Sequence, residues 1–458
     1  MITIEEVLQA VAGGPVDPDR PYLFEGLTRK ELYGRARAIG NAFRETGCTN
    51  TPVCLCVEDR GWMAAAMLAS LTGGPPLLFP YAFTAHTLSE ARQNVAYTHA
   101  LADEGQELPE GVQRIPPPEK YPDETGCSPL PAMQPDAVWI YLFTGGSTGT
   151  PRIWSKSPRN LLMESANLSE FFGIRPGDVI LASVPANHIY GLLYSVLLPL
   201  VSGACVSART PVYPNEIIQT AVDTGATVLV SIPAHYRAMQ PALLADGRIH
   251  TAFSSAGALP EHDDLEFHRC TGIAITEIYG STETGGIAYR RRGAGVSDLQ
   301  PFTYVDVRIE GERLRVRSNF LSAELQRDHE GYFSTADRVA PVHPPGFEIL
   351  GRTDGIIKVG GKRVDLTQVR QAITALSGVQ DAYVFSTPVQ SGRENEIIAV
   401  LTGRITVDRL MQELKNILPP YGLPRRVKVV DQLPVSATGK INRDAIMKIM
   451  SSGSGNGI

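Results

Sequence analysis

Residues 138–152 constrain this chain more than any other stretch. Val138-Trp-Ile-Tyr-Leu-Phe143 is an unbroken run of β-branched, aromatic and Leu side chains, and it reads as a buried strand. It empties into Thr144-Gly-Gly-Ser-Thr-Gly-Thr-Pro-Arg152. Glycines let backbone approach a ligand closely. Hydroxyls and exposed N–H groups can wrap phosphate oxygens, and a cation can neutralise them. The pair of segments therefore reads as a strand delivering a triphosphate cradle. It is not a Walker loop, because no Lys-Ser/Thr pair follows at the required spacing.

The rest of the chain alternates helical and strand patterns, so the fold class is α/β. Thr28 with Glu31 has the capping-box spacing at the head of a helix over residues 28–46. Val53-Cys-Leu-Cys-Val57 reads as a short buried strand and residues 62–71 as an Ala- and Met-rich helix. Eight prolines between 109 and 135 mark a surface connection. Helices are expected at 160–172, 215–223 and 234–244, and strands at 179–184, 227–232, 251–257 and 273–279. Residues 303–340 turn β-rich, with half-exposed alternation in Arg313-Leu-Arg-Val-Arg317.

Composition shifts at Gly351-Arg352-Thr-Asp354-Gly and again at Gly360-Gly361, a Gly-rich connector. Beyond it lies a compact α+β pattern: helices near 366–376 and 407–417, strands at 380–386, 396–402 and 426–430. The expected organisation is a large N-terminal domain over 1–352, built of α/β subdomains with a β-rich segment. A small, mobile α+β C-terminal domain follows over 353–458, with a flexible Gly/Ser tail from about 451. At 458 residues the chain is too long for one small core.

A net charge of −6 leaves no basic footprint for nucleic acid. The most apolar stretch, 192–201, contains Ser195 and Pro199 and is too short to span a bilayer. Cys48, Cys54, Cys56, Cys127, Cys205 and Cys270 form no metal-binding spacing. With no basic, apolar leader at the N-terminus, they read as reduced thiols of a cytoplasmic protein.

Further turns carry chemistry. Tyr279-Gly-Ser-Thr-Glu283 follows a strand, and its carboxylate could hold Mg²⁺ against a triphosphate. Asp337, in Phe333-Ser-Thr-Ala-Asp337, could accept hydrogen bonds from a ribose diol. Lys440 closes Pro434-Val-Ser-Ala-Thr-Gly-Lys440. Each alone is an ordinary turn. Their joint order, with Gly351-Arg352-Thr-Asp354 and Gly360-Gly361 between, resembles the superfamily of adenylate-forming enzymes: acyl- and aryl-CoA synthetases, peptide-synthetase adenylation domains and luciferase. The resemblance runs from about residue 138 to 445, whereas residues 1–136 share only α/β character.

The resemblance implies the roles. Thr144, Gly145, Gly146, Ser147, Thr148, Gly149 and Arg152 would embrace the β- and γ-phosphates of ATP. Ser255, Ala256 and Gly257, with Tyr279, would sandwich the adenine. Gly280, Ser281 and Thr282 would lie along the α-phosphate, and Glu283 would bind Mg²⁺. Asp337 and Arg352 would hold the ribose. His188 would gate the acyl pocket. Lys440 would bridge carboxylate and α-phosphate during adenylation, and Asp354 would be the hinge. The pantetheine arm would pass Gly360 and Gly361. Two departures stand out: Gly145 where the family usually has Ser, and Arg152 where it has Lys. Arg keeps the charge and adds bidentate geometry.

The implied activity is ATP-dependent carboxylate–thiol ligation through acyl-AMP. The acceptor would be CoA or a carrier-protein phosphopantetheine. Ile189, Tyr190, Leu192 and Leu193 favour an apolar or aromatic acid. Two alternatives are a stand-alone amino-acid adenylation protein and a non-catalytic nucleotide-binding scaffold. Against the first, Pro233-Ala-His235-Tyr lacks an Asp to pair an amino group. Against the second stands the complete charged set.

Overall fold

The computed structural model describes residues 2–24, 26–48, 51–121, 133–144, 152–245, 247–359, 362–388, 395–436 and 441–451. The described chain forms two compact units, one of residues 1–306 with 317–331 and one of 307–316 with 332–458. The architecture is the mixed α/β expected, with a large first part and a smaller second.

The first unit contains two sheets. One runs Gln113–Ile115, His99–Ala102, Val53–Cys56, Leu77–Phe79, Ile140–Thr144, Arg152–Lys156. All its neighbours are parallel except the last pair, an antiparallel hairpin that registers Thr144 with Arg152. The apolar run is therefore an inner strand, which is why it needs side chains that tolerate burial on both faces. Cys54, Leu78, Leu88 and Phe143 pack on one face of this sheet. Cys54 and Cys56 point the same way, with their sulfurs 3.6 Å apart.

The other sheet carries parallel strands Leu23–Phe24, Cys205–Ser207, Val179–Ala182, Val228–Ser231, Thr251–Ser254 and Ile275–Ser281 side by side. Gly285–Arg291 then returns antiparallel. Leu181, Leu229, Ile275 and Phe267 build a core on one face.

Local signals hold with two exceptions, the first being that the stretch read as a surface connection over 109–135 contributes the edge strand Gln113–Ile115, paired with His99–Ala102. Thr28 and Glu31 form the reciprocal capping box that starts Arg29–Glu45. The helix expected over 234–244 is instead Pro233–Ala238 followed by a single turn at Pro241–Leu244. Met239 is extended and caps the first helix. Pro241 disfavours helical backbone at Gln240, so the chain must break there. The apolar stretch 192–201 is buried helix with one widened turn at Leu193–Leu197.

In the second unit, Phe333–Pro341 pairs antiparallel with both Arg313–Arg317 and Phe347–Arg352. A hairpin of Ile356–Val359 and Lys362–Asp365 follows. Val379–Pro388, Asn395–Gly403 and Arg426–Val429 form the α+β sheet anticipated there. Leu366–Thr374 and Val407–Lys415 cover it through Val369, Ile373, Leu410 and Leu414. Arg443–Ser451 packs Ile446 against Phe385, Ile398 and Val400.

Candidate active site

Ligand sites in open α/β sheets form beyond the carboxyl ends of parallel strands. The candidate residues of the first unit cluster there. Val179–Ala182 leads to His188, Thr251–Ser254 to Ser255–Gly257, and Ile275–Ser281 to Glu283. Ser254 registers with Glu277, so Ser255–Gly257 leaves the sheet beside Ile278–Gly280. Ser255 Oγ donates to the Ile278 carbonyl at 3.0 Å, locking the two turns together. Ala256 sits at φ 69°, among described residues the non-glycine with positive φ. That left-handed conformation costs an L-residue roughly 1–2 kcal/mol, a strain of the kind that collects at functional turns.

The turn bearing Thr282 and Glu283 is a tight hairpin with a bulge between Tyr279 and Gly280. A Cβ at Gly280 would lie 2.2 Å from the Gly285 carbonyl oxygen, so only glycine fits. Across the turn, Ser281 and Thr284 hydroxyls are 2.9 Å apart, and the Ser281 amide donates to Thr284 Oγ1 at 3.1 Å. Among the described residues the Glu283 carboxylate has no hydrogen-bond partner. Its backbone carbonyl, in contrast, accepts from the Ser322 amide at 2.8 Å and the Lys156 ammonium at 3.3 Å. A fixed backbone with an open carboxylate suits Mg²⁺, which takes one or two carboxylates and fills its shell with water and phosphate oxygens. The described residues hold no cluster of three or more His, Cys, Asp or Glu side chains that could hold a metal ion.

Lys156 and Glu164 carry no signal in the motif reading, yet both are buried here. Burial pulls the Lys156 ammonium down to about 8, with Glu164, Glu283 and Glu324 opposing. Burial pushes the Glu164 carboxyl up, against the Gly286 N–H and Lys156. Sequence alone held one clue. Glu164 follows Leu161 by three residues and precedes Leu168 by four, so it lies on the apolar face of Pro158–Phe172.

A buried guanidinium sets the His188 turn. Arg60 Nη2 donates to the Ala182 and Val184 carbonyls at 3.1 and 3.4 Å. Its Nη1 donates to Ser207 and Arg209 carbonyls at 3.1 and 2.8 Å. It thereby ties together the ends of two strands just before Pro185 and His188. Nearby, His235 Nδ1 lies 2.9 Å from Ser183 Oγ, and burial lowers its pKa to about 4. Tyr190 donates to the Ser231 carbonyl at 3.1 Å. Leu192 and Leu193 belong to the core.

In the second unit, Asp337 registers with Arg352, and Arg352 Nη1 donates to Asp337 Oδ1 at 3.3 Å. The two expected ribose residues thus meet across a hairpin. In the first unit, Thr144 Oγ1 donates to the Arg152 carbonyl at 3.1 Å. Gly145, Gly146, Ser147, Thr148 and Gly149 lie outside the described residues, as do Gly360, Gly361 and Lys440. Asp354 falls in the one-turn helix Thr353–Gly355.

Comparison with known proteins identifies the family. A family model described as AMP-binding enzyme matches residues 14–316, and one described as AMP-binding enzyme C-terminal domain matches 368–440. The family pattern therefore extends through residues 14–136, where only α/β character was legible. A sulfoacetate–CoA ligase of Cupriavidus necator is 25% identical, over 93% of this chain and 94% of its own. A mouse malonate–CoA ligase is 23% identical, over 92% and 86%. Among solved structures, ATP-bound MatB from Rhodopseudomonas palustris superposes with a TM-score of 0.83 at 19% identity, covering 97% of this chain and 98% of that one. The o-succinylbenzoate CoA synthetase of Bacillus subtilis, in complex with its acyl-adenylate, gives 0.79 at 18% identity, covering 99% of each. No helix of the described residues is long and apolar enough to cross a membrane. The family match spans more than half of the 458 residues, so this chain belongs to the AMP-binding enzymes, and at the level of that family it is an ATP-dependent, AMP-forming acid–CoA ligase.

Proposed function

We propose that this enzyme activates a small-molecule carboxylic acid as acyl-AMP on the Glu283 side of the strand ends, then transfers the acyl group to the thiol of CoA. The observation carrying this reading is the junction of the Ser255–Gly257 turn with the Tyr279–Glu283 turn. It supports an adenine seat directly beside an open, backbone-anchored carboxylate. Glu283 would hold Mg²⁺, which neutralises phosphate charge when bound. Thr144, Arg152 and residues 145–149 would steady the leaving pyrophosphate. Asp337 and Arg352 would orient the ribose. Two anionic reactants repel, and the ammonium of Lys440 placed between them would offset that repulsion in the transition state.

Asp354 would act as hinge between a domain over 1–352 and one over 353–458, with the pantetheine arm passing Gly360 and Gly361. Support for an apolar or aromatic acid narrows to Ile189 and Tyr190, because Leu192 and Leu193 are core. Amino-acid activation and a catalytically silent scaffold are disfavoured by relatives that are CoA ligases.

The test is pyrophosphate and AMP release with ATP and Mg²⁺ against short-chain, long-chain and aryl acids. Each acid is run alone, with CoA and with a phosphopantetheinylated carrier protein. AMP formation stimulated by CoA with at least one acid is expected. Silence across the panel while ATP still binds would overturn the ligase reading, and stimulation by the carrier alone would reassign the acceptor.

A further inference from the structure

We infer that the buried pair Lys156 and Glu164 is a positioning device, a clamp that holds the backbone of the Glu283 turn from beneath so that its carboxylate meets the metal–nucleotide in one geometry. The inference rests on the reading of Glu283 as the Mg²⁺ carboxylate.

Both side chains are withdrawn from water, Lys156 at 1% and Glu164 at 3% exposure. Their bonds end on backbone atoms at and around one turn. Lys156 Nζ donates to the Phe320 carbonyl at 2.7 Å and the Glu283 carbonyl at 3.3 Å. Glu164 Oε1 accepts from the Gly286 amide at 2.7 Å, on the returning strand. The segment 320–322 is held in the same frame, since the Ser322 amide donates to the Glu283 carbonyl. Gly285 has φ 69°, and a Cβ there would lie 2.7 Å from Glu164 Oε2 and 2.8 Å from Phe320 Cβ. The turn and the carboxylate of Glu164 are therefore fitted to each other, and the Glu283 carboxylate is left open.

Energetics favour a positioning role over a stabilising one. Burying opposite charges returns little net stability, and well-packed apolar residues of similar size often do as well or better. What an apolar pair cannot supply is a donor for the Glu283 carbonyl and an acceptor for the Gly286 amide. Lys156 sits on Arg152–Lys156, the strand returning from the phosphate loop. One rigid element thus links that loop to the turn of the metal carboxylate.

The clamp is tested with Lys156→Met, Glu164→Gln and the double variant Lys156→Met/Glu164→Leu, beside Glu283→Gln. Calorimetric titration gives ATP affinity with Mg²⁺ and with EDTA. Hydrogen exchange reads the amides of residues 282–286, and urea unfolding reads stability. In Lys156→Met and the double variant, Mg²⁺–ATP affinity is expected to fall by roughly tenfold, the loss of about one charged hydrogen bond. ATP affinity in EDTA should hold, turn amides should exchange faster, and the loss of Mg²⁺–ATP affinity should exceed any loss of folded fraction read by urea. Glu164→Gln keeps an acceptor for Gly286 and should lie between. Wild-type Mg²⁺–ATP affinity and turn protection in the double variant would overturn the clamp, as would affinity losses that only track the folded fraction. If Glu283→Gln itself binds Mg²⁺–ATP like the wild type, the functional reading fails instead.

Discussion

Single side chains in this site work through what their neighbours leave open. Glu283 keeps its carboxylate clear because Ser322 and Lys156 hold its backbone. His235 shows the complementary case. Burial holds its folded-state pKa near 4, below the unfolded value of about 6.5. Between those values the unfolded chain binds more protons, so stability falls as pH drops through that window. A His235→Gln variant should lose less stability than the wild type between pH 7 and 5, read as the shift of the urea midpoint. Equal slopes in the two proteins would remove His235 as a source of the acid sensitivity. At Lys440 the expectation is catalytic. Lys440→Ala should slow adenylate formation by roughly 10²-fold or more, the scale of losing one charge-stabilising group, while sparing thiol capture from supplied acyl-adenylate. Adenylation at the wild-type rate would dismiss that role. Glu283, Asp337 and Arg352 could be singled out because each belongs to a motif whose neighbours repeat a known order, although Asp337 and Arg352 lie in paired strands and not in turns. Lys156 was not, since a Lys before Ser-Pro looks the same in sequence whether solvated or buried. Its burial is decided by Phe320 and Glu283, which are far away in the chain.

At the scale of elements, local chemistry set most boundaries. The Thr28–Glu31 box begins its helix as read, and Thr28→Ala should cost about 1 kcal/mol, the usual worth of such a cap, measured by urea denaturation. A loss below a few tenths would show that packing of Leu32, Ile39 and Phe43 alone holds the helix. Pairings between elements were less accessible. Nothing in Phe333–Pro341 or Phe347–Arg352 announces that Asp337 will face Arg352, because register depends on a bulge between Arg338 and Val339. The break at Met239 was written in Pro241, yet helical periodicity across 234–244 masked it. Buried Arg60 was likewise invisible, as all its partners but the Ser195 hydroxyl are carbonyls, which every residue possesses.

Across the whole molecule, the connector after Arg352 is where the proposed two-step reaction would be controlled. Proline fixes φ and restricts the residue before it, so Asp354→Pro should stiffen the proposed hinge. Adenylation should persist, and thioester formation should slow by roughly tenfold, as for gating residues remote from the chemistry. Rapid-quench measurement of acyl-AMP and acyl-CoA separates the two steps, and equal effects on both would exclude a hinge role. The α/β class and the compositional shift near 351 were plain in sequence. The sorting of strands into sheets was not, since it depends on which apolar faces meet.

The burial of the cysteines reaches beyond architecture. Cys48, Cys54, Cys56 and Cys205 are sealed, whereas Cys270, on Glu261–Thr271, is partly open. Burial also raises the Cys54 and Cys205 thiols, thinning the reactive thiolate. A thiol reagent should therefore reach Cys270 before the sealed sulfurs, which react only as fast as the protein breathes. Cys54 and Cys56 lie on the strand Val53–Cys56, with Leu77–Phe79 between it and the strand Ile140–Thr144 that leads into residues 145–151. Their labelling rate, with and without ATP, times the opening of that sheet, so the unmodified enzyme carries its own clock.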